Sequence, residues 1–141
     1  MRQGLFAVKL NELDRQYAHL RRRLEIIQRE SPEDVRREIH ELERACNEGE
    51  LMLEQSAEGS HTSAVAALAR AQLAYERQTR GELDRMLERP CDTEAAAESV
   101  TLYAEYAVDF AAEAANRALL AALYATRLQM DAEEQRRNDC E

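Results

Sequence analysis

From Thr93 to Arg136 the sequence runs for about 44 residues without a glycine or a proline. Those two residues are the usual helix breakers, because one is too free and the other lacks an N–H. The stretch is rich in Ala, Leu and Glu, which lose little on entering a helix. Taken whole, it predicts one helix of about 65 Å at 1.5 Å per residue.

The rest of the chain supports the same class. Only 4 Gly and 2 Pro occur in 141 residues. Phe6, Leu10, Leu13, Tyr17, Leu20, Leu24 and Ile27 follow one another at alternating spacings of four and three. This is the 3.5-residue period of a coiled-coil seam, with one narrow apolar stripe. "SPED" at 31–34 ends that helix and starts another: Ser31 can cap, Pro32 suits the first helical position, and Glu33 and Asp34 complement the positive helix end. Val35, Ile39, Leu42, Cys46 and Leu53 carry a similar stripe forward. "SAEGSHTS" at 56–63 reads as the clearest loop, with Thr62 or Ser63 as the next cap. Val65, Leu68, Ala71, Tyr75, Leu83 and Leu87 mark a third helix, with Gly81 as an exposed weak spot. "RPCDTE" at 89–94 is the last connection, with Asp92 or Thr93 as cap.

The expected helices are therefore about 5–30, 32–55, 63–88 and 93–136, within a single domain spanning 1–141. The tail at 131–141 is expected to fray. A short connection predicts that the first two helices form an antiparallel hairpin. The fold expected is all-α: an antiparallel up-down four-helix bundle with coiled-coil-like packing and an over-long C-terminal helix.

Composition limits the function. Apolar residues at 45% and charged residues at 33% indicate a folded domain rather than a disordered one. The formal net charge of -9 argues against a nucleic-acid partner, which needs a clustered basic surface. The charge is uneven: residues 1–45 carry ten Lys and Arg against nine acids, leaving nine against nineteen for residues 46–141. Arg21, Arg22 and Arg23 thus sit in a neutral half, with the chain's own carboxylates as neighbours. No apolar run reaches the ~20 residues of a membrane span, and the N-terminus lacks a signal-peptide pattern, so a cytoplasmic protein without a membrane role is expected. Cys46, Cys91 and Cys140 are widely spaced and form no CxxC pair, which speaks against disulfides and thiolate metal sites.

Catalytic motifs are missing. A di-metal carboxylate bundle requires two helical Glu-x-x-His motifs. The one match, Glu58 to His61, lies in the Gly–Ser stretch, and His19 and His40 stand among charged residues. Cys91, beside Pro90 at a helix start, is the most plausible reactive thiol, and its plainer reading is a small turn residue. Tyr75, Tyr103, Tyr106 and Tyr124 could line a small-ligand pocket, although aromatics at helical spacing usually pack in a core. Neither enzyme activity, nor a cofactor, nor a metal is expected.

Two features of the long helix remain. Glu98, Glu105 and Asp109 fall within about 40° of one another and Glu113 lies nearby, forming an acidic stripe opposite Tyr103, Ala107, Phe110, Ala114, Ala121 and Leu128. That second group is the expected core side. Ordinary solvation accounts for the acids, with docking of a basic protein as the sharper alternative. Beyond Arg117 the pattern changes, and every residue from Ala118 to Ala125 is apolar. Leu119 and Leu123 turn toward the side of Glu105 and Asp109, Leu120 and Tyr124 fill the flank, and Leu128 continues the core side. A helix apolar all round must be covered all round. A second copy of the chain, giving a homodimer, is the leading account. A partner's amphipathic helix is the next, and enclosure by a bend of the same helix the third. The function expected is thus a non-enzymatic interaction or scaffolding protein that self-associates through helix four. An acidic binder or inhibitor of a basic partner is the alternative, and a small-ligand-binding bundle comes last.

Overall fold

The computed structural model describes residues 3–27, 29–88 and 92–140. It is all-helical, with four helices, no strand and 93% of the described residues in helix. The elements are α1 (Gln3–Ile27), α2 (Pro32–Gly59), α3 (Ser63–Leu87) and α4 (Thr93–Asp139). They divide into two compact units, Glu12–Glu88 and Met1–Asn11 with Arg89–Glu141.

The starts of α2, α3 and α4 are each fixed by a side chain that satisfies an orphan backbone donor. Ser31 Oγ accepts from the Asp34 N–H at 3.3 Å and donates to Asp34 Oδ2 at 2.8 Å. Thr62 Oγ1 accepts from the Val65 N–H at 3.3 Å. Asp92 Oδ1 accepts from the N–H groups of Glu94 and Ala95. Each such cap contributes about 1 kcal/mol.

In the unit Glu12–Glu88, α2 and α3 pack against one another. Arg70 Nη1 donates to the Ala57 carbonyl at 3.4 Å, Arg77 pairs with Glu54, and Arg80 Nη1 reaches Glu50 Oε1 at 2.6 Å. Residue numbers rise on α3 as they fall on α2, so the two helices run in opposite directions. Ala66, Ala69 and Leu73 of α3 are buried there, and they are the buried hydrophobics among the described residues. Leu53 and Ala57 of α2 are half-buried on the same stretch. Small residues at 66 and 69 permit this close approach.

The helix boundaries correct the sequence reading at the α2–α3 connection. Residues 56–59 are helical, and the loop is only Ser60–Thr62. Ala57 and Glu58 are good helix formers, Gly59 costs little in a last turn, and one capping threonine suffices to restart the chain.

The α1–α2 hairpin is also only partly realised. Arg23 pairs with Glu38 and lies 3.7 Å from Glu41, which ties the two helices near their connection. Farther along, Leu10, Tyr17 and Leu24 on α1 and Ile39 and Leu42 on α2 are exposed. Phe6, Leu13, Leu20 and Ile27 are half-buried. The heptad seam is therefore covered on one set of positions and open on the other.

In the other unit, α4 runs unbroken from Thr93 to Asp139 and has no buried residue. Arg136 and Arg137 in its last turn suit the negative helix end, which accounts for helix persisting past residue 136. At 1.5 Å per residue its 47 residues span about 70 Å. The helical part of Met1–Asn11, the unit's other segment, spans only about 14 Å. Within the unit α4 cannot be covered along its length. That corrects the expected core side: Tyr103 is half-buried, but Ala107, Phe110, Ala114, Ala121 and Leu128 are exposed. No described helix is long and apolar enough to cross a membrane.

Candidate association surface

The surface is built on the C-terminal half of α4. Relative to Phe110 at 0°, a 100° step places Leu128 at 0°, Tyr124 near -40°, Leu120 near -80°, Leu123 near -140° and Leu119 at 180°. Five large apolar side chains thus span half the circumference within ten residues. They are between 48% (Tyr124) and 62% (Leu128) exposed. Ala118, Ala121 and Ala125 between them are exposed too, so a neighbouring helix could approach closely. Because α4 is continuous, this segment is not enclosed by a bend of its own helix.

Local contacts stiffen the surface. The Arg127 guanidinium stacks over the Tyr124 ring, 5.0 Å from its centroid. Thr126 Oγ1 donates to the Ala122 carbonyl at 3.0 Å, keeping its polar atom satisfied on the helix.

Toward the N-terminus the same side of α4 changes character. Glu98, Glu105, Asp109 and Glu113 are all exposed, and among the described residues none has an ion pair. Leu120 and Leu123 continue the line of the acids, so one face of α4 is acidic first and apolar afterwards.

The other candidates are not brought together. His19, His40 and His61 are exposed and lie on α1, on α2 and in the α2–α3 loop. No group of three His, Cys, Asp or Glu among the described residues could hold a metal ion. Cys46 and Cys140 are exposed free thiols, and Cys91 lies outside the described residues. Tyr106 is 76% exposed and Tyr124 is exposed, while Tyr75 and Tyr103 are half-buried. Tyr106 and Tyr124 therefore line no interior cavity. Sequence reasoning overlooked the open positions of the α1 seam, whose signal was the strictness of the heptad spacing: a stripe only two residues wide per heptad suits one partner helix.

Compared with known protein families, curated proteins and solved structures, the chain matches none.

Proposed function

We propose that the chain is a non-enzymatic interaction or scaffolding protein whose α4 pairs with α4 of a second copy. The observation carrying this reading is the apolar segment Ala118–Ala125, continued by Leu128, on a helix with no buried residue. Leu119, Leu120, Leu123, Tyr124 and Leu128 form the contact, with the alanines between them allowing close approach. A two-fold pairing uses the same patch on both copies, so one surface suffices. Assembly would supply the cover that the sequence pattern demands, and the antiparallel, coiled-coil-like bundle packing belongs to that assembled state.

Sedimentation velocity across a concentration series tests the proposal. The wild-type protein should be dimeric or larger at tens of micromolar, and Leu123→Glu should weaken association at least tenfold while leaving helix content unchanged. A monomer at those concentrations would overturn it.

The exposed acids Glu98, Glu105, Asp109 and Glu113, with no ion pair among the described residues, favour one second reading, that of an acidic binder for a basic protein. It requires binding that weakens as salt rises, lost on charge reversal at Glu105 and Asp109. Association through the leucines, by contrast, should persist in high salt.

A further inference from the structure

A second apolar pattern, independent of α4, runs along α1. Its seam alternates between half-buried positions (Phe6, Leu13, Leu20, Ile27) and exposed ones (Leu10, Tyr17, Leu24), Leu24 being 64% exposed. The residues flanking such a seam decide its partner, because they face the flanking residues of the opposing helix. On one flank stand Asp14 and Arg21, and on the other Lys9, Gln16, Arg23 and, in the turn just after the helix, Glu30. Lys9, Asp14, Arg21 and Glu30 are exposed and have no ion pair among the described residues.

The seam that follows α1 in the chain is that of α2, and its charges are wrong. The Arg23–Glu38 pair fixes the register in which α1 would close on α2, with Leu20 over Ile39 and Tyr17 over Leu42. That register sets Arg21 against Arg36 and Asp14 against Glu43. Like charges on the second flank oppose closure beyond the pairing of Arg23 with Glu38 and Glu41.

We propose that the open α1 seam is occupied by α1 of a second copy, running antiparallel and centred between Tyr17 and Leu20. In that register Leu10 lies opposite Ile27 of the partner subunit, Leu13 opposite Leu24 of the partner subunit, and Tyr17 opposite Leu20 of the partner subunit. Asp14 then faces the partner's Arg21, and the turn carrying Glu30 follows the end of α1 that meets the partner's Lys9, each twice by symmetry. Gln16 faces the partner's Arg23 without conflict, leaving Arg23 free to hold Glu38 of its own chain. A shift of one heptad in one direction would set Asp14 against the partner's Asp14 and Lys9 against the partner's Arg23. A shift the other way would set Arg21 against the partner's Arg21 and Arg23 against the partner's Arg23. Of these three registers, one alone is complementary. A parallel pair would offer only Lys9 facing the partner's Asp14.

Charge exchange tests the contact in the full chain carrying Leu123→Glu, so that the α4 surface is disabled. Residue 123 is 59% exposed, so a glutamate there meets water rather than a buried site. This parent should still self-associate at concentrations on the order of 100 µM by sedimentation velocity. Asp14→Arg and Arg21→Asp should each weaken association on the order of tenfold by juxtaposing like charges, and the double exchange should restore it. A parent that stays monomeric overturns the proposal. So do single variants without effect, or a double variant that is not restored, the outcome a parallel pair would give. Association that falls further in the double variant than in either single variant would indicate closure on α2 instead and overturn it too. If Leu123→Glu associates as tightly as wild type, the α4 reading fails while the α1 contact stands, so the two failures are distinguishable. Repeating the exchange in the wild-type background guards against any effect of Leu123→Glu on folding.

Discussion

The α2–α3 hairpin and α4 draw on the same few residue types, yet they meet the demand for burial differently. The hairpin places Ala66 and Ala69 where α2 comes close, sets Leu73 beneath them, and lines its edge with Arg77–Glu54 and Arg80–Glu50 pairs. α4 has more alanines, but within its own unit no helix long enough to use them. Composition makes a helix, and only a matched neighbour makes a core. The same alanine is therefore a structural keystone in one region and an idle surface residue in the other.

One pair of substitutions sharpens that contrast most. Ala69→Asp buries a carboxylate at a position only 4% exposed, and should cost roughly 3 kcal/mol or more. Ala107→Asp on α4 should cost no more than the roughly 0.7 kcal/mol of helix propensity. Hydrogen exchange resolves the two regions separately: protection across residues 63–75 should collapse in the first variant, and protection around residue 107 should barely move in the second. Equal losses would erase the distinction drawn here.

The connection provides a smaller effect. Thr62→Ala removes the hydroxyl that accepts from Val65, and should lower stability by about 1 kcal/mol in urea unfolding. Thr62→Ser, which keeps the hydroxyl, should recover most of that loss. The smallest effect is a gain. A methyl group at Gly81 meets nothing within 4 Å, although the residue is half-buried rather than exposed as its sequence context implied. Gly81→Ala should therefore add about 0.5–1 kcal/mol, read as a small rise in melting temperature. A loss there would mean that α3 is packed more tightly than its surroundings indicate.

Element existence was legible in the sequence because breakers and caps act locally. Ser31, Thr62 and Asp92 mark three helix starts, and each caps as its side-chain chemistry requires. Packing was far less legible. Hydrophobic periodicity says which side of a helix wants cover, not whether cover is available, so Phe110 and Leu128 read as core and stand exposed. The short loop was hidden because Ser56 and Gly59 look like punctuation, while the alanine and glutamate between them sustain the helix. The apolar segment near Leu123 was visible because it breaks periodicity outright. The α1 seam demanded more, namely reading the residues beside the stripe as well as those within it.

The unbroken length of α4 also makes it a ruler. Thr93 lies about 30 residues from Leu123, or about 45 Å along the axis. If two copies cross head to tail at the leucines, their Thr93 ends are held about 90 Å apart. If they pair side by side in the same direction, those ends meet. Whatever is attached ahead of Thr93 is thus either displayed at two distant points or brought to one place, and a single distance measured between two labels would say which.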